Sequence, residues 1–145
     1  MSDVDLARFT DAQSGVYDDA LAELRAGRKA NHWMWFVFPQ IAGLGASPNS
    51  RYYAIRSAAE ARGFLAHPVL GPRLRACTEA LLGHEDRSAE AMLGGVDAVK
   101  LRSSMTLFEA VSAGGDAQLF GRCLDRFFAG VRDPLTLRLL ARSPD

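Results

Sequence analysis

The chain has 145 residues, of which 48% are hydrophobic, and its 17 basic residues balance 17 acidic ones. This length suits one domain with one full-sized core. Balanced charge excludes a global field that would gather nucleic acid or an anionic membrane surface. No apolar run approaches the ~20 residues that cross a bilayer. We therefore expect neither nucleic acid nor membrane as a partner.

The two cysteines, Cys77 and Cys123, lie far apart in sequence and match no metal-ligand spacing. The acidic, amphipathic N-terminus lacks the layout of a secretory signal. We therefore expect a reduced, cytoplasmic protein that uses neither a metal nor another cofactor.

The first predicted element is one long helix from Asp5 to Ala26. Its apolar residues recur at three- and four-residue steps, and Gly27 stands where a helix C-cap belongs.

The stretch NHWMWFVFPQ, residues 31–40, contains both tryptophans and suits either a buried strand or a buried helix. No other segment is rich enough in β-branched residues to provide a partner strand, and Asn31 is a good N-cap. We therefore predict a short buried helix from His32 to Val37. It should end ahead of Pro39, because the residue before a proline avoids the helical region.

The remaining boundaries are marked by glycines and capping residues. Residues 40–50, QIAGLGASPNS, have the composition of a loop. Ser57 and Glu60 form a capping-box pattern, Asp97 is expected to cap a later helix, and Asp133 precedes a proline at a first helical position. The predicted helices of this part cover residues 57–66, 68–82, 97–112 and 116–128, a short turn is predicted around Ala89 to Leu93, and a terminal helix follows Asp133. The sequence predicts a compact all-α single domain over residues 1–145, with seven or eight helices and a core spanning about residues 4–140.

The loop GLGASPNS and the arginine after it form the first candidate site. Two glycines let backbone N–H groups turn inward, two serines add hydroxyl donors, and a following helix N-terminus would favour an anion. The predicted anion-binding residues are Gly43, Gly45, Ser47, Ser50 and Arg51. The alternative is an ordinary surface loop.

The stretch KLRSSMTLF, residues 100–108, forms the second candidate. On a helix, Lys100, Ser103 and Ser104 share one face. The lysine could activate the hydroxyl of Ser104 as a nucleophile, with Ser103 binding ligand, or it could simply bind a phosphate. The alternative is that both serines bond to helix carbonyls and permit close helix packing.

The aromatic stretch forms the third candidate. His32 is the obvious proton donor, because histidine is the side chain best suited to acid–base work near neutral pH. Tryptophans beside glycines and hydroxyl groups are suited to walling a pocket for a flat ligand. The alternative is core packing. We predict that Trp35, beside His32, faces the glycine loop. The predicted pocket walls are Trp33, Trp35, Pro39, Gln40 and Tyr53.

The order of these motifs resembles the domain-of-unknown-function 1810 family of small bacterial and fungal proteins. The resemblance covers about Asp5 to Leu140 and rests on DLARFTDAQSGVYDDALAEL, GRKANHWMWFVFPQIAGLG, SRYYAI, HPVLGPRL, KLRSSMTLFEA and FGRCLDRFFAGVRDPLTLRLL. It implies an all-helical fold of this size and no established activity. Members often carry the label calpastatin-like. A calpain-inhibitor segment would be extended and disordered, whereas this chain has the apolar content of a folded domain.

The layout is also similar to the NADAR domain, a helical family linked to NAD and ADP-ribose metabolism and to removal of ADP-ribose from modified bases. The NADAR glutamate-histidine-tyrosine motif is absent, so this similarity bears on ligand class alone. We hypothesise that the chain binds or hydrolyses a nucleotide-like small molecule of this type, held by its phosphate. The alternative is a protein-interaction module or homodimer that uses an exposed aromatic patch. In a third hypothesis the aromatic stretch is structural and the function lies elsewhere.

Overall fold

Ten α-helices form residues 3–143, the part of the chain that this computed structural model describes. The only β-pairing in that part is an isolated parallel bridge between Ile41 and Ile55. The all-α prediction is therefore confirmed. The helices are α1 Asp3–Gln13, α2 Tyr17–Ala26, α3 Met34–Val37, α4 Pro48–Tyr52, α5 Ala58–Ala66, α6 Leu70–Leu82, α7 Ala89–Leu93, α8 Gly95–Ala110, α9 Gly114–Phe128 and α10 Pro134–Arg142.

The predicted long first helix is wrong, because the chain breaks between α1 and α2. Gly15 has a φ of 77°, in the left-handed region that glycine adopts without a Cβ clash. The turn lets α1 pack on α3 while α2 packs on α6. The predicted C-cap is confirmed, since Gly27 has a φ of 76° and its N–H bonds the carbonyls of Glu23 and Leu24.

The short aromatic helix exists, but it begins later than predicted and lacks the predicted cap. It runs from Met34 to Val37, and Trp33 occupies the N-cap position without a side-chain cap bond. The side-chain amide of Asn31 instead donates from Nδ2 to Glu23 Oε2 at 2.6 Å. The side chain that was predicted to cap the helix therefore bonds Glu23.

Residues 40–50 were expected to be loop throughout, yet α4 begins inside them. Ser47 is its N-cap and accepts the N–H of Ser50 at 3.1 Å, and Pro48 is its first residue. After α4 the chain pairs with the start of this segment through the parallel bridge between Ile41 and Ile55. There, Ala42 N–H bonds the Ile55 carbonyl and Ile55 N–H bonds the Gln40 carbonyl, each at 2.8 Å.

Two of the later helices follow their predicted capping signals, and two begin elsewhere than predicted. Ser57 caps α5 and Asp133 caps α10, as predicted. Asp97 does not cap α8, which begins at Gly95 after an N-cap glycine, Gly94, with a φ of 87°. Asp97 lies in the first turn and its carboxylate binds two lysines. Helix α9 begins at Gly114, ahead of the predicted Asp116.

A row of aromatic rings runs through the core. The rings of Phe9 and Phe64 lie 5.1 Å apart, those of Phe64 and Phe108 5.3 Å, and those of Phe108 and Phe120 6.1 Å. These side chains are fully buried, and full burial of one such side chain contributes about 1.5–3 kcal/mol. The row joins α1, α5, α8 and α9, with α8 at the centre of the fold.

A buried ion pair joins α1 to α5, and its arginine also fixes the end of α4. Arg8 Nη2 bonds Glu60 Oε1 at 2.8 Å, and the side chains are only 6% and 7% exposed. Arg8 Nε also donates to the Tyr52 carbonyl at 2.9 Å, and Nη2 donates to the Ala54 carbonyl at 2.7 Å.

Between Asp3 and Ser143, no helix is long and apolar enough to span a membrane.

Candidate functional site

A cleft of about 330 Å³ lies between the loop of residues 40–50 and the start of α8. This volume is at the lower end of the range for small-molecule sites. The cleft combines aliphatic side chains, a hydroxyl, an amide and one ammonium. Its walls are Gln40, Leu44, Gly45 and Ser50 on the loop side, and Val96, Val99 and Lys100 on α8. The structure therefore places Lys100 opposite the glycine loop.

Lys100 lies between the cleft and Trp35. Its Nζ is 4.4 Å from the centre of the Trp35 ring and 3.2 Å from Asp97 Oδ1. An ammonium over an indole face is stabilised by about 0.5–2 kcal/mol, depending on its exposure. The Lys100 side chain is 18% exposed, so this charge is held in place without being cut off from solvent.

Lys29 repeats the arrangement on the other oxygen of Asp97. Its Nζ lies 2.8 Å from Asp97 Oδ2 and 5.1 Å from the centre of the Trp33 ring. It also donates to the Asn31 carbonyl, and its side chain is only 8% exposed. The two lysines of the chain therefore share one carboxylate, and each lies over one tryptophan. We call Lys29, Asp97 and Lys100 the lysine–aspartate cluster.

The two tryptophans have different environments. Trp33 is fully buried, and its Nε1–H donates to Glu23 Oε1 at 2.8 Å. Trp35 is partly exposed, and its ring lies against a residue of the cleft. The Nε1 of Trp35 is buried and has no acceptor within the described part of the chain. Trp33 thus belongs to the core, whereas Trp35 lies next to the cleft.

Glu23 organises the backbone that leads into the aromatic stretch. Its carboxylate accepts the N–H groups of Ala30 at 2.7 Å and Asn31 at 3.1 Å, in addition to the Trp33 indole. Partial burial opposes ionisation of this carboxyl. The hydrogen bonds outweigh that effect, so the pKa of Glu23 is lowered.

The loop side of the cleft depends on a close approach at Gly45. A Cβ at that position would lie 2.6 Å from Ser50 Oγ, so only glycine fits without displacing the hydroxyl. Ser50 Oγ also lies 2.8 Å from Ser47 Oγ, which caps α4. Of the other predicted loop residues, Gly43 adopts a φ of 106° beside Leu139, and Arg51 is exposed and does not line the cleft.

The two serines of α8 lie outside the cleft. Ser103 Oγ donates to Asp133 Oδ2 at 3.1 Å, which ties α8 to the start of α10. Ser104 is fully buried, and its Oγ has no partner within the described residues. Lys100 Nζ bonds Asp97. The structure therefore does not bring the predicted nucleophile to a surface that a ligand reaches.

The other predicted residues are dispersed around the aromatic stretch. His32 is exposed, Pro39 is buried, and neither lines the cleft. Tyr53 packs against the rings of Phe9 and Phe36. Burial, followed by the neighbouring Tyr52, raises the pKa of Tyr53.

The sequence missed Leu44, Val96 and Val99 as cleft residues and Lys29 as part of the cluster. The one sequence feature that could have pointed to Lys29 is that Lys29 and Lys100 are the only lysines of the chain.

Two larger depressions, of about 480 and 420 Å³, lie along α9. Their charged side chains are largely engaged with protein groups. Arg132 binds Glu109 and Asp125, and Arg126 donates to the His84 carbonyl at 2.8 Å. Among residues 3–143, no group of three His, Cys, Asp or Glu residues could hold a metal ion. The cleft at Lys100 is therefore the better candidate for recognition of a charged ligand.

Comparison with known proteins agrees with the resemblance seen in the sequence. The family described as "Protein of unknown function (DUF1810)" matches residues 3–140. The chain belongs to this family. A solved member of the family, the conserved hypothetical protein Rv1873 from Mycobacterium tuberculosis, is similar over 96% of this chain and 98% of its own. The two share 48% sequence identity and superpose with a TM-score of 0.91. No curated protein matches the sequence.

Proposed function

We propose that this DUF1810 protein binds a nucleotide-like small molecule in the cleft, with an anionic group of the ligand on Lys100. The observation that carries the proposal is the position of Lys100, which lines the cleft together with Gly45 and Ser50 and holds its ammonium over the Trp35 ring. A partly buried ammonium that is held over an aromatic face is prearranged to receive a phosphate oxygen.

The rest of the cleft suits the organic part of such a ligand. Val96 and Val99 are 72% and 64% exposed at its edge, so their aliphatic surface is open to a ligand. Leu44 adds apolar surface from the loop, while Ser50 and Gln40 offer polar groups. A volume of about 330 Å³ holds a nucleoside-sized group and leaves the remainder of a dinucleotide in solvent.

Binding is better supported than hydrolysis. Ser104 is fully buried, so it would need a rearrangement of α8 to reach a ligand. His32 does not line the cleft. The alternative of an exposed aromatic patch has weaker support, because Trp33, Met34, Val37 and Phe38 are at most 2% exposed in the single chain.

Thermal unfolding and titration calorimetry with NAD, ADP-ribose and the common nucleotides test the proposal. A ligand at 100 times its Kd stabilises the fold by about 2.7 kcal/mol, which raises Tm by about 9 °C for a domain of this size. Lys100→Met should weaken binding at least tenfold. Arg122→Met is the matched control, because it removes an exposed cation on α9 away from the cleft. The proposal fails if none of these ligands raises Tm, or if both variants bind as the wild type does.

A further inference from the structure

We infer that Asp97 restricts the cleft to ligands whose anionic group carries a single negative charge, such as a phosphodiester or one phosphate of a dinucleotide. This inference rests on the proposed function, since it concerns the anion that Lys100 would receive. It follows from the charge of the lysine–aspartate cluster, in which two ammonium groups share one carboxylate.

The geometry puts the Asp97 carboxylate close to any such anion. A phosphate oxygen bonded to an ammonium lies about 2.8 Å from the nitrogen. Lys100 Nζ is itself 3.2 Å from Asp97 Oδ1. The bound oxygen is therefore within about 6 Å of the carboxylate oxygen, whatever the direction of approach.

Lys29 determines how much of the Lys100 charge is available. Its side chain is 8% exposed and its Nζ is committed to Asp97 and the Asn31 carbonyl, so it does not reach the ligand. Without Lys29, Lys100 alone would neutralise Asp97 and the cluster would carry no net charge. With Lys29, the cluster carries one net positive charge. Lys29 is therefore a positioning residue that acts through Asp97.

One net positive charge compensates one ligand charge. A second ligand charge would lose hydration without gaining a partner, and Asp97 would repel it. Like unit charges ~6 Å apart change an equilibrium by roughly threefold in bulk water and by roughly a hundredfold at an effective dielectric constant of 20. For a partly exposed cluster, we expect a discrimination on the order of tenfold per charge.

The test uses ligands that differ only in charge. For each of the four common ribonucleosides, the 5′-monophosphate is close to a dianion at pH 8, because its second pKa is about 6. The 5′-methyl phosphate of the same nucleoside is a monoanion. Calorimetry gives the ratio of the two Kd values for the wild type and for the charge variants. This ratio reports charge selectivity, which a general loss of structure would not shift in a chosen direction.

The wild type should bind the methyl phosphate at least as tightly as the monophosphate. Asp97→Asn should shift the ratio about tenfold towards the monophosphate, because it raises the net charge of the cluster by one. The double variant Lys29→Met/Asp97→Asn returns the cluster to one positive charge and should restore the wild-type ratio. If Asp97→Asn does not fold, Lys29→Met compared with the double variant changes the charge by the same single unit.

The outcomes separate the two proposals. If no nucleoside series binds, the proposed function fails and the inference falls with it. If ligands bind but the wild type prefers the monophosphate, or the single variant Asp97→Asn leaves the ratio within threefold of the wild-type ratio, the inference alone is overturned.

Discussion

Breaking the Arg8–Glu60 ion pair from one side should be among the most destabilising single changes in this chain, and Arg8→Met does so while keeping an unbranched apolar stem. The variant leaves the Glu60 carboxylate, 7% exposed, without its guanidinium partner. It also removes the donors to the Tyr52 and Ala54 carbonyls. Breaking a buried pair from one side in this way costs about 3–5 kcal/mol.

The unfolding entropy, which scales with chain length, determines how far this loss of free energy lowers Tm. An unfolding entropy of about 2.1 cal/mol/K per residue gives roughly 0.3 kcal/mol/K for 145 residues. Arg8→Met should therefore lower Tm by about 10–15 °C. Because Arg8 fixes the end of α4, the variant should also loosen the loop side of the cleft. Hydrogen exchange would report this as faster exchange of the Tyr53 N–H, which bonds the Asn49 carbonyl at 3.1 Å.

The coupling free energy between the two side chains is measured by calorimetric and urea unfolding of Arg8→Met, Glu60→Gln and the double variant. The double variant should recover part of the loss, because it no longer buries an uncompensated charge. Arg122→Met serves as the surface control and should change stability by less than about 0.5 kcal/mol. The reasoning is refuted if Arg8→Met costs less than about 1 kcal/mol, or if the double variant is less stable than either single variant.

Two further predictions follow from perturbed ionisable groups. The pKa of Glu23 is lower in the fold than its ordinary value, so its contribution is present above the unfolded pKa of about 4.3 and is lost as pH falls through the folded one. Glu23→Gln should cost about 1–2 kcal/mol in urea unfolding at pH 7, a discounted value for a partly solvated site, and the difference from wild type should shrink towards pH 3. A difference that stays constant over this pH range would contradict this cause. Burial raises the pKa of the Cys77 and Cys123 thiols to about 12. Native protein at pH 8 should therefore resist a thiol reagent that labels both cysteines in urea, and rapid labelling of folded protein would show that one of these thiols is exposed.

The helices that sequence predicted best are those with a local signal at their ends. Ser57, Asp133 and Gly27 each make their capping bonds within four residues of their own position, so the local sequence contains the capping interaction. The break at Gly15 has only the Ser14-Gly15 pair as a local turn signal. The apolar periodicity continues across it, and the turn forms because α1 and α2 pack on different helices.

The candidate site likewise contains some residues that the sequence predicted and others that it did not. Composition pointed to Gly45, Ser50 and Lys100, and the structure places all three around one cleft. Their role in binding stays a prediction. Asp97 looked like a cap from its position ahead of an apolar helix. Its actual partners include Lys29, a residue from a distant segment that no local pattern connects to it. Ser104 shares a helical face with Lys100 in sequence, but α8 is packed on so many sides that this face is buried there.

The parallel bridge between Ile41 and Ile55 determines how this cleft can be altered. Its two main-chain hydrogen bonds close the base of the intervening segment, so both ends of that segment are fixed independently of what lies between them. Lengthening a loop with fixed ends changes its closure entropy only slowly. We therefore expect residues 43–50 to tolerate replacement better than the core does, with Trp35, on α3, and Lys100, on α8, keeping their positions. Under the proposed function, replacing this segment should change ligand specificity without redesign of the core beneath it.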